Sequence, residues 1–186
     1  MNAHYLPRLS GALLLTFLLP IAAAAQQLQE SKVVNPSLSE LPNLHPLVVH
    51  VPIMLLIVAL VTQLASFFLW RRQLDWITFL LLAGGVAGAF LAGEVFHPHT
   101  TGLTDAAREV MDRHDTWADY TIWSSALALV LKGVSLFWLR GPRWMEIVVS
   151  LVLAFSAVAV SVTAHYGGTL VYLHGVGVQG NFVEEH

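Results

Sequence analysis

Four long apolar runs decide most of what this chain can fold into. They are Pro46–Trp70, Trp76–Phe96, Trp117–Leu139 and Trp144–Tyr166, each 21 to 25 residues long. As a helix rising 1.5 Å per residue, each is long enough to cross the roughly 30 Å of hydrocarbon in a bilayer. An isolated apolar strand would leave its backbone groups unbonded in lipid, so helix is the default. The composition agrees: 56% of the 186 residues are hydrophobic and 11% are charged, where soluble domains carry about 25% charge. The expected fold is all-α, an integral-membrane four-helix up-and-down bundle preceded by a signal peptide.

The first residues carry the marks of a secretory signal. Arg8 supplies a positive start, Gly11 to Ala22 a short apolar stretch, and Ala23–Ala24–Ala25 a small-residue cleavage site before Gln26. This predicts a signal peptide over 1–25, a periplasmic linker over 26–44 broken by Pro36 and Pro42, a transmembrane domain over 45–178, and a tail over 179–186. The short turns Arg71–Gln73 and Arg140–Arg143 are basic, which assigns them to the cytoplasm. Trp70, Trp76, Trp138 and Trp144 bracket those turns as an interfacial belt. The longer connection from Pro98 to Thr116 is acid-rich and then faces outward. The expected location is a bacterial inner membrane, with both mature ends periplasmic and the lipid bilayer as the principal partner.

Several classes of function are excluded. There is no cysteine, so disulfides, thiolate-held metals, iron–sulfur clusters and covalently attached haem are ruled out. The net charge is -3 with no basic patch, so nucleic acid is not an expected partner. No nucleophile–base arrangement or phosphate loop points to a hydrolase or kinase.

The residues with chemistry to offer are histidines. Seven of the nine, His45, His50, His97, His99, His114, His165 and His174, fall at the outward ends of the four runs. Imidazole is a common ligand of metals and haem, and it is expensive near lipid. Pro46 suits the first helical position, which sets His50 one turn inside the first span and leaves His45 outside it. Below His114 the small residues Ala118, Thr121, Ser125 and Ala128 follow at helical spacing, and Ser161, Val158 and Ala154 lie below His165. Such stripes serve close helix packing or leave room for a flat macrocycle, and spacing alone fits both.

Glu94 and His97 form Glu-x-x-His at the end of the second span, a spacing used by carboxylate–imidazole metal sites in helical bundles. A salt bridge between them is the simpler use of the pair. Lys132 lies near the cytoplasmic end, where snorkelling accounts for it. Asp115 and Asp119 are placed to orient His114 or its neighbours. Met54 and Met111 read as packing residues. The double glycine Gly167–Gly168 predicts an end or bend of the last helix, with His174 folded back over the bundle mouth.

Two segments carry a resemblance. Leu44–His45–Pro46–Leu47–Val48–Val49–His50–Val51–Pro52–Ile53 resembles the start of a bacterial family of small four-span, cytochrome-b-like predicted membrane proteins. So does the end, Thr163–Ala164–His165–Tyr166–Gly167–Gly168, with Leu170–Val171–Tyr172 and His174–Gly175–Val176–Gly177. The likeness spans residues 44–178; the family usually has Phe where this chain has Val51. It implies b-type haem held by helix-borne histidines, with His50, His114 and His165 as the positions to carry over. Bis-His ligation leaves no open position on the iron, which favours electron transfer to a periplasmic or membrane redox partner.

On that reading His50 and His114 pair, from helices that sit diagonally in the bundle, with His165 as substitute. One alternative is a non-haem Cu, Zn or Fe ion held by Glu94 and His97 with His50, His99 and His114, for sensing or transport. Another is a cofactor-free structural subunit.

Overall fold

The computed structural model describes residues 43–178; the expected signal peptide, most of the linker and the tail lie outside the described residues. Within that range there are four long helices and no strand. Helix α1 spans His45–Ala65, α2 Arg71–Val95, α3 Asp105–Leu139 and α4 Arg143–His174, and all four are long and apolar enough to cross a membrane. The chain is an all-α four-helix bundle. Each helix packs on its neighbours in chain order and α4 closes back on α1, leaving α1 and α3 on one diagonal.

Local chemistry explains the irregularities. The first turn of α1, His45–Val48, is offset from the rest at Val49. Pro52 has no N–H to offer the Val48 carbonyl, so the ladder breaks there, and the next bond, Ile53 N to Val49 O, is stretched to 3.4 Å. α1 stops at Ala65 rather than running on to Trp70, and α2 begins at Arg71 after Trp70 takes a left-handed φ of 31°. The second basic turn uses the same device at Arg140 (φ 59°) and Gly141 (φ 71°). Both α2 and α3 widen into a π-helical turn over their last residues, Leu91–Val95 and Ser135–Leu139. Thr104 caps α3 by accepting from the Ala107 N–H at 3.2 Å.

Small residues let the helices approach, as expected where lipid competes for apolar contact. A Cβ on Gly88 would lie 2.8 Å from Val51, and one on Gly85 2.7 Å from Leu56. The central core is Leu56, Ala59, Leu82, Ala128, Leu153 and Val160. Large apolar side chains such as Phe68, Trp123 and Leu151 are turned outward.

One end of the bundle is pinned by charge. Lys132 does not snorkel: it is fully buried, and its ammonium donates to Asp75 Oδ1 at 2.6 Å and Glu146 Oε2 at 2.7 Å. α1 and α3 complete the cluster through Gln63, whose Nε2 donates to Glu146 Oε2 at 2.8 Å, and Ser135, whose hydroxyl donates to Glu146 Oε1 at 2.5 Å. Arg71 stands 3.9 Å from Asp75 Oδ2 and also donates to the Gly141 carbonyl. Glu146 lies in the first turn of α4 and Lys132 in the last α-helical turn of α3, so each charge also complements its helix dipole. In hydrocarbon a lysine without these partners would be far costlier than one reaching water.

Candidate cofactor site

The opposite end gathers the histidines. His45 begins α1, and its ring Nδ1 lies 2.9 Å from the carbonyl of Ala92 in the π-turn of α2. His114, on α3, sits with Nδ1 3.0 Å from the Thr163 carbonyl of α4. A carbonyl only accepts, so in both rings Nδ1 carries the proton and Nε2 is left with a lone pair. Metal-ligating histidines are commonly oriented in this way, by a second bond to a backbone carbonyl. Gly167 makes room for His114: a Cβ there would be 3.3 Å from the ring.

His97 follows α2 and completes a triangle. Its ring centroid is 5.6 Å from that of His45 and 6.5 Å from that of His114, and His45 and His114 are 6.3 Å apart. His97 Nε2 is 3.3 Å from Asp115 Oδ1, close enough for an ion pair, but the two are not aligned as a hydrogen bond. Asp115 Oδ1 is therefore buried without a hydrogen-bond partner. The Asp115 carboxylate raises the His97 imidazole above its ordinary range, against partial burial and with help from Glu94 and Asp119. Donor atoms of His97, His114 and Asp115 all lie within 4.8 Å of one another.

Beside this cluster is a cavity of about 380 Å³. His45, His50, His97 and His114 stand in its wall, and the rest is largely small or apolar, including Ala92, Gly93, Ala118, Gly167 and Gly168. Thr121, Ser125 and Ala128, the stripe below His114, are buried as a face turned inward.

The other sequence candidates are placed differently. His50 reaches the cavity but is exposed at its edge. His165 is exposed, packs beside Tyr166 at 5.7 Å and does not line the cavity; Ser161 and Val158 below it are exposed too. α4 lines the cavity with Val160, Thr163, Ala164, Gly167, Gly168 and Val171, and His165 lies about 100° around the helix from Ala164. Glu94 and His97 do not share a helix face. α2 ends in its π-turn at Val95, leaving Glu94 exposed while His97 turns to Asp115. His99 is exposed on the following loop. α4 runs without interruption through Gly167–Gly168, so His174 ends a continuous helix instead of folding back as a lid.

His45, which the sequence set outside the first span, and Asp115, expected to orient His114 or its neighbours, both stand in the cluster. His45 belongs to the triangle, and its place on the first turn follows from Pro46 at the helix start. Asp115 is the carboxylate of the group, serving His97. Asp75 and Glu146, which meet Lys132, and Gln63, which meets Glu146, had one available signal: a polar residue inside or at the edge of an apolar run.

Residues 41–180 match the family model described as Predicted membrane protein (DUF2231). No curated protein and no solved structure matches the chain.

Proposed function

Since the chain belongs to the DUF2231 family of predicted membrane proteins, whose model covers the whole bundle, we propose that it is a membrane-bound electron-transfer protein holding b-type haem at its histidine end. The observation that carries this reading is the cavity: about 380 Å³, largely apolar, with four imidazoles in its wall. A bare metal ion needs imidazoles but no such space, whereas a macrocycle uses both. When bound, haem supplies a one-electron couple that the protein tunes through ligand identity, burial and outer hydrogen bonds.

The chain's own residues have distinct tasks. His114 would hold the haem through Nε2, which the Nδ1 bond to Thr163 leaves free. His50, on the diagonal helix α1, would be the second residue to hold it, with His45 as substitute. Asp115 holds His97 beside the site and adds negative charge there. The basic turns support an orientation with the lysine end in the cytoplasm and the histidine end on the periplasmic side of a bacterial inner membrane.

A second reading, a mononuclear Cu, Zn or Fe ion, is favoured by the grouping of His97, His114 and Asp115 and by the unbonded Asp115 Oδ1. One preparation separates the two. Protein expressed with added haem precursor is purified in detergent, and its spectrum is recorded oxidised and dithionite-reduced alongside metal analysis. Haem predicts a Soret band and a reduced α band that His114→Ala abolishes and His50→Ala converts from low-spin. Stoichiometric metal without a Soret band selects the ion, and neither signal rejects both readings.

A further inference from the structure

The cavity opens sideways. Its exposed lining residues all belong to α1 or α4: Pro46 and His50 on the first, Ala164, Val171 and Tyr172 on the last. The far wall, formed by Ala89, Ala92, His114 and Thr121, is buried. The mouth is therefore the seam between the start of α1 and the end of α4. Its depth follows from helix geometry: about 30 Å of α4 counted from Trp144 reaches Ala164. The mouth lies where hydrocarbon gives way to headgroups.

What can enter there is limited by chemistry. Among the described residues no Lys, Arg, Asp or Glu lines the cavity, so a charged phospholipid headgroup finds no counter-charge there. An acyl chain alone makes no use of imidazoles. A quinol ring suits the mouth beside that site: flat and apolar, with two oxygens to bond to the Tyr172 hydroxyl or to an imidazole that the haem reading leaves unligated, and a tail that stays in lipid.

We propose that this lateral mouth admits the ring of a lipid-soluble quinol, making the electron partner of the site lipid-borne. The electron-transfer role rests on the haem reading above; the binding does not. Oxidation of one quinol to quinone releases two electrons and two protons. The protons leave through the mouth to the aqueous interface. Were the site to hold haem as read above, the ferric form would be the one-electron acceptor, and one quinol would serve two protein molecules.

Photolabelling tests the site with or without cofactor. Protein in phosphatidylethanolamine–phosphatidylglycerol vesicles is irradiated with an azido-benzoquinone carrying a short isoprenoid tail, then digested. Label is expected in residues 46–53 and 164–172, and excess unlabelled quinone of the same tail should suppress it about tenfold. Gly168→Phe starts from open space, because a Cβ there meets nothing within 4 Å, and sends its ring into the seam. It should reduce labelling by a similar factor at unchanged helicity and thermal stability. Label scattered over lipid-facing residues, absent altogether, or indifferent to Gly168→Phe overturns the proposal. A preparation free of haem but labelled at the mouth would refute the cofactor reading alone.

Discussion

Replacing Lys132 with methionine removes the only buried cation among the described residues of the lysine end while keeping most of its volume. In wild type the ammonium serves two carboxylates, Asp75 at 2.6 Å and Glu146 at 2.7 Å. After the change Glu146 keeps Ser135 and Gln63, but Asp75 keeps only Arg71, 3.9 Å away with its side chain half exposed. Removing one partner from a buried ion pair costs about 3–5 kcal/mol, because the other charge is stranded. The same range is expected for Lys132→Met. It does not double, since Glu146 remains hydrogen-bonded. Stability is read by SDS titration of the protein in mixed micelles, followed by tryptophan fluorescence. The triple variant Lys132→Met, Asp75→Asn, Glu146→Gln leaves no stranded charge and should recover most of the loss. A single variant within about 1 kcal/mol of wild type would refute the charge-based account. A triple variant as unstable as the single would place the loss in packing instead.

Gly167→Ala brings a Cβ to 3.3 Å from His114, so the ring must give by a few tenths of an ångström. It should weaken cofactor retention after dialysis, while Gly168→Ala, with open space at its Cβ, retains wild-type loading. The pH response of cofactor-free protein depends on His97. Its folded imidazole titrates above the unfolded value of about 6.5 because of Asp115. That pairing therefore stabilises the fold below the unfolded value, and its contribution is lost as pH rises through the folded one. The stability gap between wild type and His97→Asn should be present in mild acid and close as the solution is made alkaline; a gap that widens instead would be contrary to this sign.

The bundle was legible because apolar length, basic turns and paired tryptophans all report on one physical constraint, the thickness of the bilayer. The site was harder to read because facing angle depends on where helices begin, bend and end. Pro52 offsets the first turn of α1, and the π-turn after Phe90 frees His97 from the face it would share with Glu94. His165 differs from a cavity-lining residue by a single position on α4, which hydropathy cannot resolve in a helix apolar nearly all round. Lys132 misled for another reason. Nothing within one helix shows that two others bring partners to the same depth.

A bundle pinned at one end by charged and polar side chains from every helix, and lightly filled at the other, has a natural order of assembly. The lysine end can set helix neighbours and register during insertion, before any cofactor arrives. The histidine end can then part along the α1–α4 seam without disturbing that register. On the haem reading, loading that group would be a local opening of a finished protein, and its loss would leave a folded, reloadable shell.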